Sequence, residues 1–393
     1  MPEPAGRTWR LRYHLIAFSI TRTIVNTMYR MVYPFMTVFA RGLGVPVADV
    51  AGAVALRSAL GMAGPLVGSS ADRRGRKRAM VLGLTVFAAG ASLVVLQPTF
   101  RPFVAALWLT AIGKIIFDPA MQAHLGDRVG YARRGQAIAL TELGWSMAFL
   151  IGVPLAGRLI ARSGWAAPFP WLAAGGVAAA LVLWRILPGD PPGHQGGPSL
   201  RRGLASIAAH PAALAGLAVG LIATAANETV NIVFGVWLEA SFGLKVAALG
   251  AAAAVIGLAE LSGESLVVGV TDRLGKRTAV AIGLTANAFA SLLLVTLART
   301  PAGALAALFA FYIAFEFTLV STIPMMTELL PEARATLMSA NISALSLGRL
   351  LGAALGLALF SFGMGANTLA VVVLDLVAIV VLLTLVREHR RPG

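Results

Sequence analysis

The chain predicts an all-α membrane protein with twelve spanning helices in two six-helix bundles related by a pseudo-twofold. Three observations predict it. Of 393 residues, 58% are hydrophobic and only 12% are charged, whereas soluble domains carry roughly 25% charged residues. The apolar residues fall into runs near the ~20 residues that a spanning helix needs. A charged, glycine-punctuated loop occurs twice, once in each half: Gly68-Ser69-Ser70-Ala71-Asp72-Arg73-Arg74-Gly75-Arg76-Lys77 and Gly269-Val270-Thr271-Asp272-Arg273-Leu274-Gly275-Lys276-Arg277.

Taken in order, the runs place spans at 14–40, 47–69, 79–98, 102–124, 137–160, 167–187, 212–238, 246–270, 279–298, 302–326, 337–362 and 365–386. Continuous apolar stretches of this length are helices, because a lone segment in lipid must satisfy its own backbone. Basic residues follow the even-numbered spans and flank both ends: Arg7, Arg10 and Arg12; Arg73 to Arg78; Arg128, Arg133 and Arg134; Arg201 and Arg202; Arg273, Lys276 and Arg277; Arg334; Arg387, Arg390 and Arg391. The opposite loops hold Arg41, Arg101, Arg162, Lys245 and Arg299. This asymmetry predicts a multi-pass protein of the cell membrane with both termini cytoplasmic. The net charge of +15 thus marks membrane topology, not a nucleic-acid surface. The Pro- and Gly-rich stretch 188–210 reads as a cytoplasmic linker between bundles 1–187 and 211–393.

The repeat extends past the loop. Asp72, Arg73 and Gly75 recur as Asp272, Arg273 and Gly275, 272 − 72 = 200, and Arg134 recurs as Arg334. Asn26 matches Asn227 and Gly42 matches Gly243, both at 201. Span five has small residues at Gly144, Ala148, Gly152 and Ala156, and span eleven at Ala344, Gly348, Gly352 and Gly356. Small residues four apart let helices approach closely, either as static packing or as contacts that close a path between the bundles.

Ionisable groups inside a bilayer cost a few kcal/mol each, so they are paired or functional. Span one carries Arg22, Asn26 and Arg30 on one helical stripe, and span four carries Lys114 and Asp118 four apart. Glu142 opens span five; Asn227, Glu228 and Asn231 lie in span seven; Glu260 and Glu264 lie in span eight; Glu316, Arg349 and Asp375 lie in spans ten, eleven and twelve. Arg22 reads as a snorkelling residue, Glu260 and Glu264 as partners of Arg349, and Arg57 and Asp375 as structural. Burial in an apolar cavity disfavours the charged form of a carboxylate and suits it to proton exchange near neutral pH.

The loop Gly68, Asp72, Arg73, Gly75, Arg76, Lys77 resembles the signature between the second and third helices of the major facilitator superfamily, with a degraded second copy. Gly152, Pro154 and Gly157 in span five resemble the Gly-Pro-x-x-Gly-Gly signature of its drug/proton antiporters, with Val153 and Arg158 at two of the glycine positions. The resemblance implies that spans one, four, seven and ten line a central cavity. Asn26, Arg30, Lys114, Asp118, Asn227, Glu228 and Glu316 would form its polar site, with Glu142 in reserve as a proton carrier. It implies that Asp72 faces the N-terminus of span eleven, that Arg73 and Arg76 anchor the loop by ion pairs, and that Asp272 faces span five near Gln136.

The expected function is secondary active transport by alternating access: a proton-coupled exporter (antiporter) of a small organic or amphipathic compound, working as a monomer with protons and membrane lipid as its other partners. The alternatives are a proton symporter for an organic anion or sugar, a lipid or lysolipid translocator, and a non-transporting membrane sensor or scaffold. The glycine runs lack Gly-Lys-Ser/Thr, so no ATP site is expected. The 5 histidines are scattered, so no metal site is expected either. Neither an enzyme activity nor a cofactor is expected, and the proton gradient would be the energy source.

Overall fold

A computed structural model describes residues 5–63, 75–129, 131–189, 200–330 and 333–386, and among them every regular element is helical. The first half comprises α1 (Ala5–Arg30), α2 (Met36–Leu43), α3 (Val47–Leu60), α4 (Arg76–Leu96), α5 (Phe100–Arg128), α6 (Tyr131–Met147), α7 (Val153–Ser163) and α8 (Pro168–Ile186). A short helix, α9 (Leu200–Ala208), follows within the expected linker. The second half comprises α10 (Pro211–Asn231), α11 (Phe234–Phe242), α12 (Val246–Leu274), α13 (Lys276–Thr296), α14 (Pro301–Leu329), α15 (Arg334–Phe360) and α16 (Met364–Leu385).

Ten helices among the described residues are long and apolar enough to cross a bilayer, and the bent pair Met36–Leu43 and Val47–Ala63 makes up to eleven. The difference from twelve lies at the start of the chain. The arginines of α1, including Arg22 and Arg30, dilute its apolar character. Large apolar side chains such as Trp171, Phe289 and Leu369 are exposed, as expected of a surface that meets lipid rather than water.

The chain divides into one unit of Met1–Ala53 and Leu66–Gly196 and a second of Val54–Pro65 and Gly197–Gly393. The internal packing of the units repeats. In the first, α4 packs on α5 and α8, and α1 on α6 and α8. In the second, α13 packs on α14 and α16, and α10 on α15 and α16. The segment 54–65 belongs with the second unit: Ser343 Oγ donates to the carbonyl of Met62 at 3.2 Å.

The repeat also governs where helices break. The first helix of each half ends at Arg30 and at Asn231, 231 − 30 = 201. The break spans 31–35 in the first half, where Pro34 withholds an N–H, but only 232–233 in the second. Those three extra residues shift the register. The glycines closing the next helices in the left-handed conformation are Gly44 (φ 68°) and Gly243 (φ 63°). Gly243 therefore corresponds structurally to Gly44, not to Gly42; a side chain on Gly42 would run into Trp165.

Of the duplicated loop, Gly68, Asp72 and Arg73 lie outside the described residues, as do the side chains of Asp272 and Gln136. Arg273 is exposed. Gly75 and Gly275 both immediately precede a helix, at φ 94° and φ 83°, a region that L side chains enter only with strain. The cations that follow tie helix ends together. Arg76 Nη1 donates to the carbonyl of Ala123 on α5 at 2.5 Å, and Lys77 Nζ to that of Leu187 after α8 at 2.7 Å. In the second unit Lys276 pairs with Glu328 on α14, and Arg277 Nη2 donates to the carbonyl of Leu383 on α16 at 2.5 Å. The C-terminal part of a helix carries partial negative charge that attracts cations, and one basic pair fastens three helices in each unit. Arg76 thus anchors its loop through a backbone carbonyl.

The linker helix α9 docks within the second unit: Ile207 is buried with Ala213, Met326, Leu330 and Leu337.

Candidate functional site

The first unit holds a connected set of charges among its apolar helices, buried at Arg22 and partly exposed at Lys114, Asp118 and Glu142. Glu142 Oε1 lies 2.5 Å from Arg22 Nη1, and Arg22 Nε lies 3.5 Å from Asp118 Oδ1. Asp118 Oδ2 lies 2.5 Å from Lys114 Nζ, which also donates to Asn26 Oδ1 at 2.7 Å. Asn26 Nδ2 in turn donates to the carbonyl of Gly144 at 3.2 Å. The chain Glu142–Arg22–Asp118–Lys114–Asn26 therefore crosses α6, α1 and α5 and returns to α6.

Helical spacing explains the alignment. Arg22, Asn26 and Arg30 recur every four residues along α1, and Lys114 and Asp118 recur likewise along α5. Gly144 permits the approach of α6, since a Cβ there would lie 2.6 Å from Arg22 Cβ. Arg22 is a central member of this network and is 4% exposed, so it does not snorkel.

Arg30 is held differently. Its Nη1 donates to the carbonyl of Trp145 at 3.0 Å, and its Cζ lies 3.5 Å from the Phe149 ring centroid and 4.3 Å from that of Trp145. Aromatic faces attract a guanidinium, more strongly when water is excluded. Phe149 is placed by a π turn over Ala148–Gly152. Pro154 has no N–H for the carbonyl of Leu150, and Val153 N–H bonds Ala148 O instead. π turns inside helices are frequent at functional sites. Pro154 thus shapes the span locally, and Gly157 is buried in α7 just after it.

The second unit holds a separate polar group. Asn231 Nδ2 donates to Glu228 Oε2 at 3.0 Å, and Tyr312 Oη donates to Asn231 Oδ1 at 2.7 Å, joining α10 to α14. Glu228 is 1% exposed, Glu316 is 5% exposed and Asn227 is buried on the same helix as Glu228. Gly263 on α12 brings that helix against Glu316, whose Cβ would lie 2.9 Å from a Cβ at 263. Gly352 on α15 does the same beside Glu228, at 2.8 Å. Its counterpart in the first unit, Gly152, faces Thr27, and Thr27 precedes Glu228 by 228 − 27 = 201.

Asn26, Lys114, Asp118 and Glu142 are thus brought together, with Arg30 on the same stripe of α1 against the π turn, and Asn227 and Glu228 lie one turn from Asn231. Trp145, Phe149, Gln122 and Tyr312 are partners that composition did not single out. Gln122 Nε2 donates to Glu142 Oε1 at 3.2 Å. Its position, four residues after Asp118 on α5, was the available signal.

Known proteins resemble this chain in sequence and fold. The chain is 25% identical over 392 residues to the inner membrane transport protein YdhP of Escherichia coli (strain K12), covering 98% of each. It is 30% identical over 123 residues to multidrug resistance protein 2 of Bacillus subtilis (strain 168), which is 31% of this chain and 30% of that one. Its fold matches a solved POT family transporter in complex with 5-aminolevulinic acid, with TM-score 0.77 at 14% identity over 97% of this chain and 95% of the other. The family model of the Major Facilitator Superfamily matches residues 18–227 and 216–393, and the chain, a multi-pass membrane transporter, belongs to that superfamily.

Proposed function

We propose that this protein is a proton-coupled exporter of a small amphipathic compound, working by alternating access in the inner membrane with both termini cytoplasmic. The observation that carries the reading is the chain Glu142–Arg22–Asp118–Lys114–Asn26, buried at Arg22 and Asn26, half-buried at Asp118 and Lys114, and more open at Glu142. Charges in an apolar interior contribute little net stability, and apolar residues of similar volume replace them readily. A titratable relay at this depth is therefore better explained by use than by folding.

Asp118 is shared by Lys114 and Arg22. A proton on Asp118 cancels both attractions and frees the ammonium to move. In antiport, proton and substrate compete for one carboxylate, so inward proton flow drives substrate out. In the spans of the second unit, Glu228, Glu260, Glu264 and Glu316 outnumber Arg57 and Arg349. That surplus of carboxylates favours a cationic amphiphile as the competing substrate. The similarity to a protein named for multidrug resistance supports export of small compounds, and the similarity to YdhP supports the inner membrane. The energy source would be the proton gradient alone, and the functional unit a monomer.

A second reading is favoured by the first unit taken alone, where Arg22, Arg30 and Lys114 exceed Asp118 and Glu142 by one charge. Protonation of Asp118 would then release Lys114 to bind an organic anion, and proton and anion would travel together. Proteoliposomes with an acidic lumen separate the two. Antiport accumulates an amphipathic cation inside as protons leave, symport empties the lumen of an organic anion, and Asp118→Asn abolishes either response. A pH gradient that moves neither class of compound overturns both readings.

A further inference from the structure

A further buried carboxylate shares no hydrogen bond with the polar groups described above. Asp375 on α16 is 0% exposed, and its one hydrogen bond comes from Asn287 Nδ2 on α13, at 2.8 Å to Oδ2. Two acceptors of this pair, Asp375 Oδ1 and Asn287 Oδ1, have no hydrogen-bond partner among the described residues. Asn287 itself is 2% exposed. The nearby hydroxyls are committed elsewhere: Ser291 donates to the carbonyl of Ala288, and Thr368 to that of Ser291.

The corresponding interface of the first unit shows what is unusual. There Phe87 on α4 packs against Gly176 on α8, where a Cβ would lie 2.7 Å from the ring. Asn287 follows Phe87 by 287 − 87 = 200 and Asp375 follows Gly176 by 375 − 176 = 199. An aromatic-on-glycine contact in one unit is replaced by an acid and an amide in the other, so the fold does not require polarity here.

No cation compensates Asp375 among the described residues. On the helices packed against α16, Arg277 bonds the carbonyl of Leu383 and Lys276 pairs with Glu328, both from the first turn of α13. Arg334 on α15 bonds the carbonyl of Thr327. Glu228 on α10 accepts from Asn231, and neither it nor Arg349 on α15 bonds Asp375. An ionised carboxylate with one amide donor and no counter-charge is costly in this setting. A single proton resolves both orphan acceptors, because an acid hydroxyl at Asp375 would donate to the free carbonyl oxygen of Asn287.

We propose that Asp375 is a proton-binding site outside the two polar groups, held as the neutral acid in a reciprocal pair with Asn287 that joins α16 to α13. The acid accepts from the amide N–H and donates to the amide oxygen. Loss of that proton leaves two facing acceptors and an uncompensated charge, and it loosens the α13–α16 contact.

Infrared difference spectroscopy of the purified full-length protein at neutral pH tests this independently of any transport reading. Wild type minus Asp375→Asn is expected to show one carboxylic-acid carbonyl band, with Asp375→Asn folding as the neutral isostere. A difference that contains only carboxylate stretches overturns the proposal. Asn287→Ala supplies a second reading should Asp375→Asn fail to fold: removal of the amide donor moves the same acid band to higher frequency, and an acid band that does not move overturns the pairing.

Discussion

Lys114 on α5 holds Asn26 of α1 and Asp118 of its own helix with one ammonium, at 2.7 Å and 2.5 Å. The two spans are joined by this charge as well as by the Phe18–His124 ring contact, and removing one charge differs in consequence from removing both. Lys114→Ala leaves Asp118 with Arg22 alone, at 3.5 Å, and is expected to lower stability by about 1–3 kcal/mol, because a half-buried carboxylate loses its closer counter-charge. Lys114→Met combined with Asp118→Leu removes both charges and is expected to recover most of that loss. Thermal unfolding in detergent reads the comparison. A double variant as unstable as the single one would mean that the pair is required by the fold.

Arg30 sits over Phe149 and Trp145 and bonds a backbone carbonyl. A guanidinium is planar and weakly hydrated and can stack and donate together, whereas an ammonium cannot reproduce both. Arg30→Lys therefore keeps the charge but is expected to cost about 1 kcal/mol of stability. Phe149→Leu is expected to produce a similar loss on its own and little further loss in the Arg30→Lys background. Additive losses would show that ring and guanidinium act separately.

Much of the fold was legible in the sequence because membrane physics leaves few choices. Apolar length, basic loops and the doubled motif located the helices, and the spacing of Lys114 and Asp118 located their ion pair. The break after Arg30 and the π turn before Pro154 were not legible. Both are register changes that apolar runs conceal, since segments 31–35 and 148–152 carry no charged residue and read as continuous span. Arg22 was misread for the same reason: its distance along α1 suggested an interfacial position, and only the approach of α6 at Gly144 shows it pairing inside the bundle. Asp375 reads as structural in the sequence, and the proposal made for it rests on its lack of a counter-charge among the described residues and on the comparison with Gly176.

Gly352 on α15 abuts α10, where a Cβ would lie 2.8 Å from Glu228 Cβ and 2.9 Å from Ala225 Cα. Neither neighbour is the far end of a flexible side chain, so the helices must part. Gly352→Val is expected to cost about 1–3 kcal/mol by overpacking and to displace Glu228. Gly365→Ala, with no atom within 4 Å of its Cβ position, serves as the control and is expected to be neutral. Equal thermal midpoints for both variants and the wild type would refute a tight α10–α15 contact.

Pro154 widens the helix turn that carries Phe149 toward Arg30. Alanine at this position restores an N–H able to bond the carbonyl of Leu150, so a regular α ladder competes with the π turn over Ala148–Gly152. Shedding the extra residue of that turn rotates the preceding helix face by roughly 100°, the angular step of one residue, and carries Phe149 off the guanidinium. Helix propensity favours the change while the cation–ring contact opposes it. Pro154→Ala is thus expected to fold with wild-type stability or better and to lose roughly tenfold in transport, about 1.4 kcal/mol. In the Arg30→Lys background the same change should lose little more, because both variants abolish one contact. Transport rates of the four proteins in one vesicle preparation decide the matter, and full additivity would mean that the π turn serves something other than Arg30.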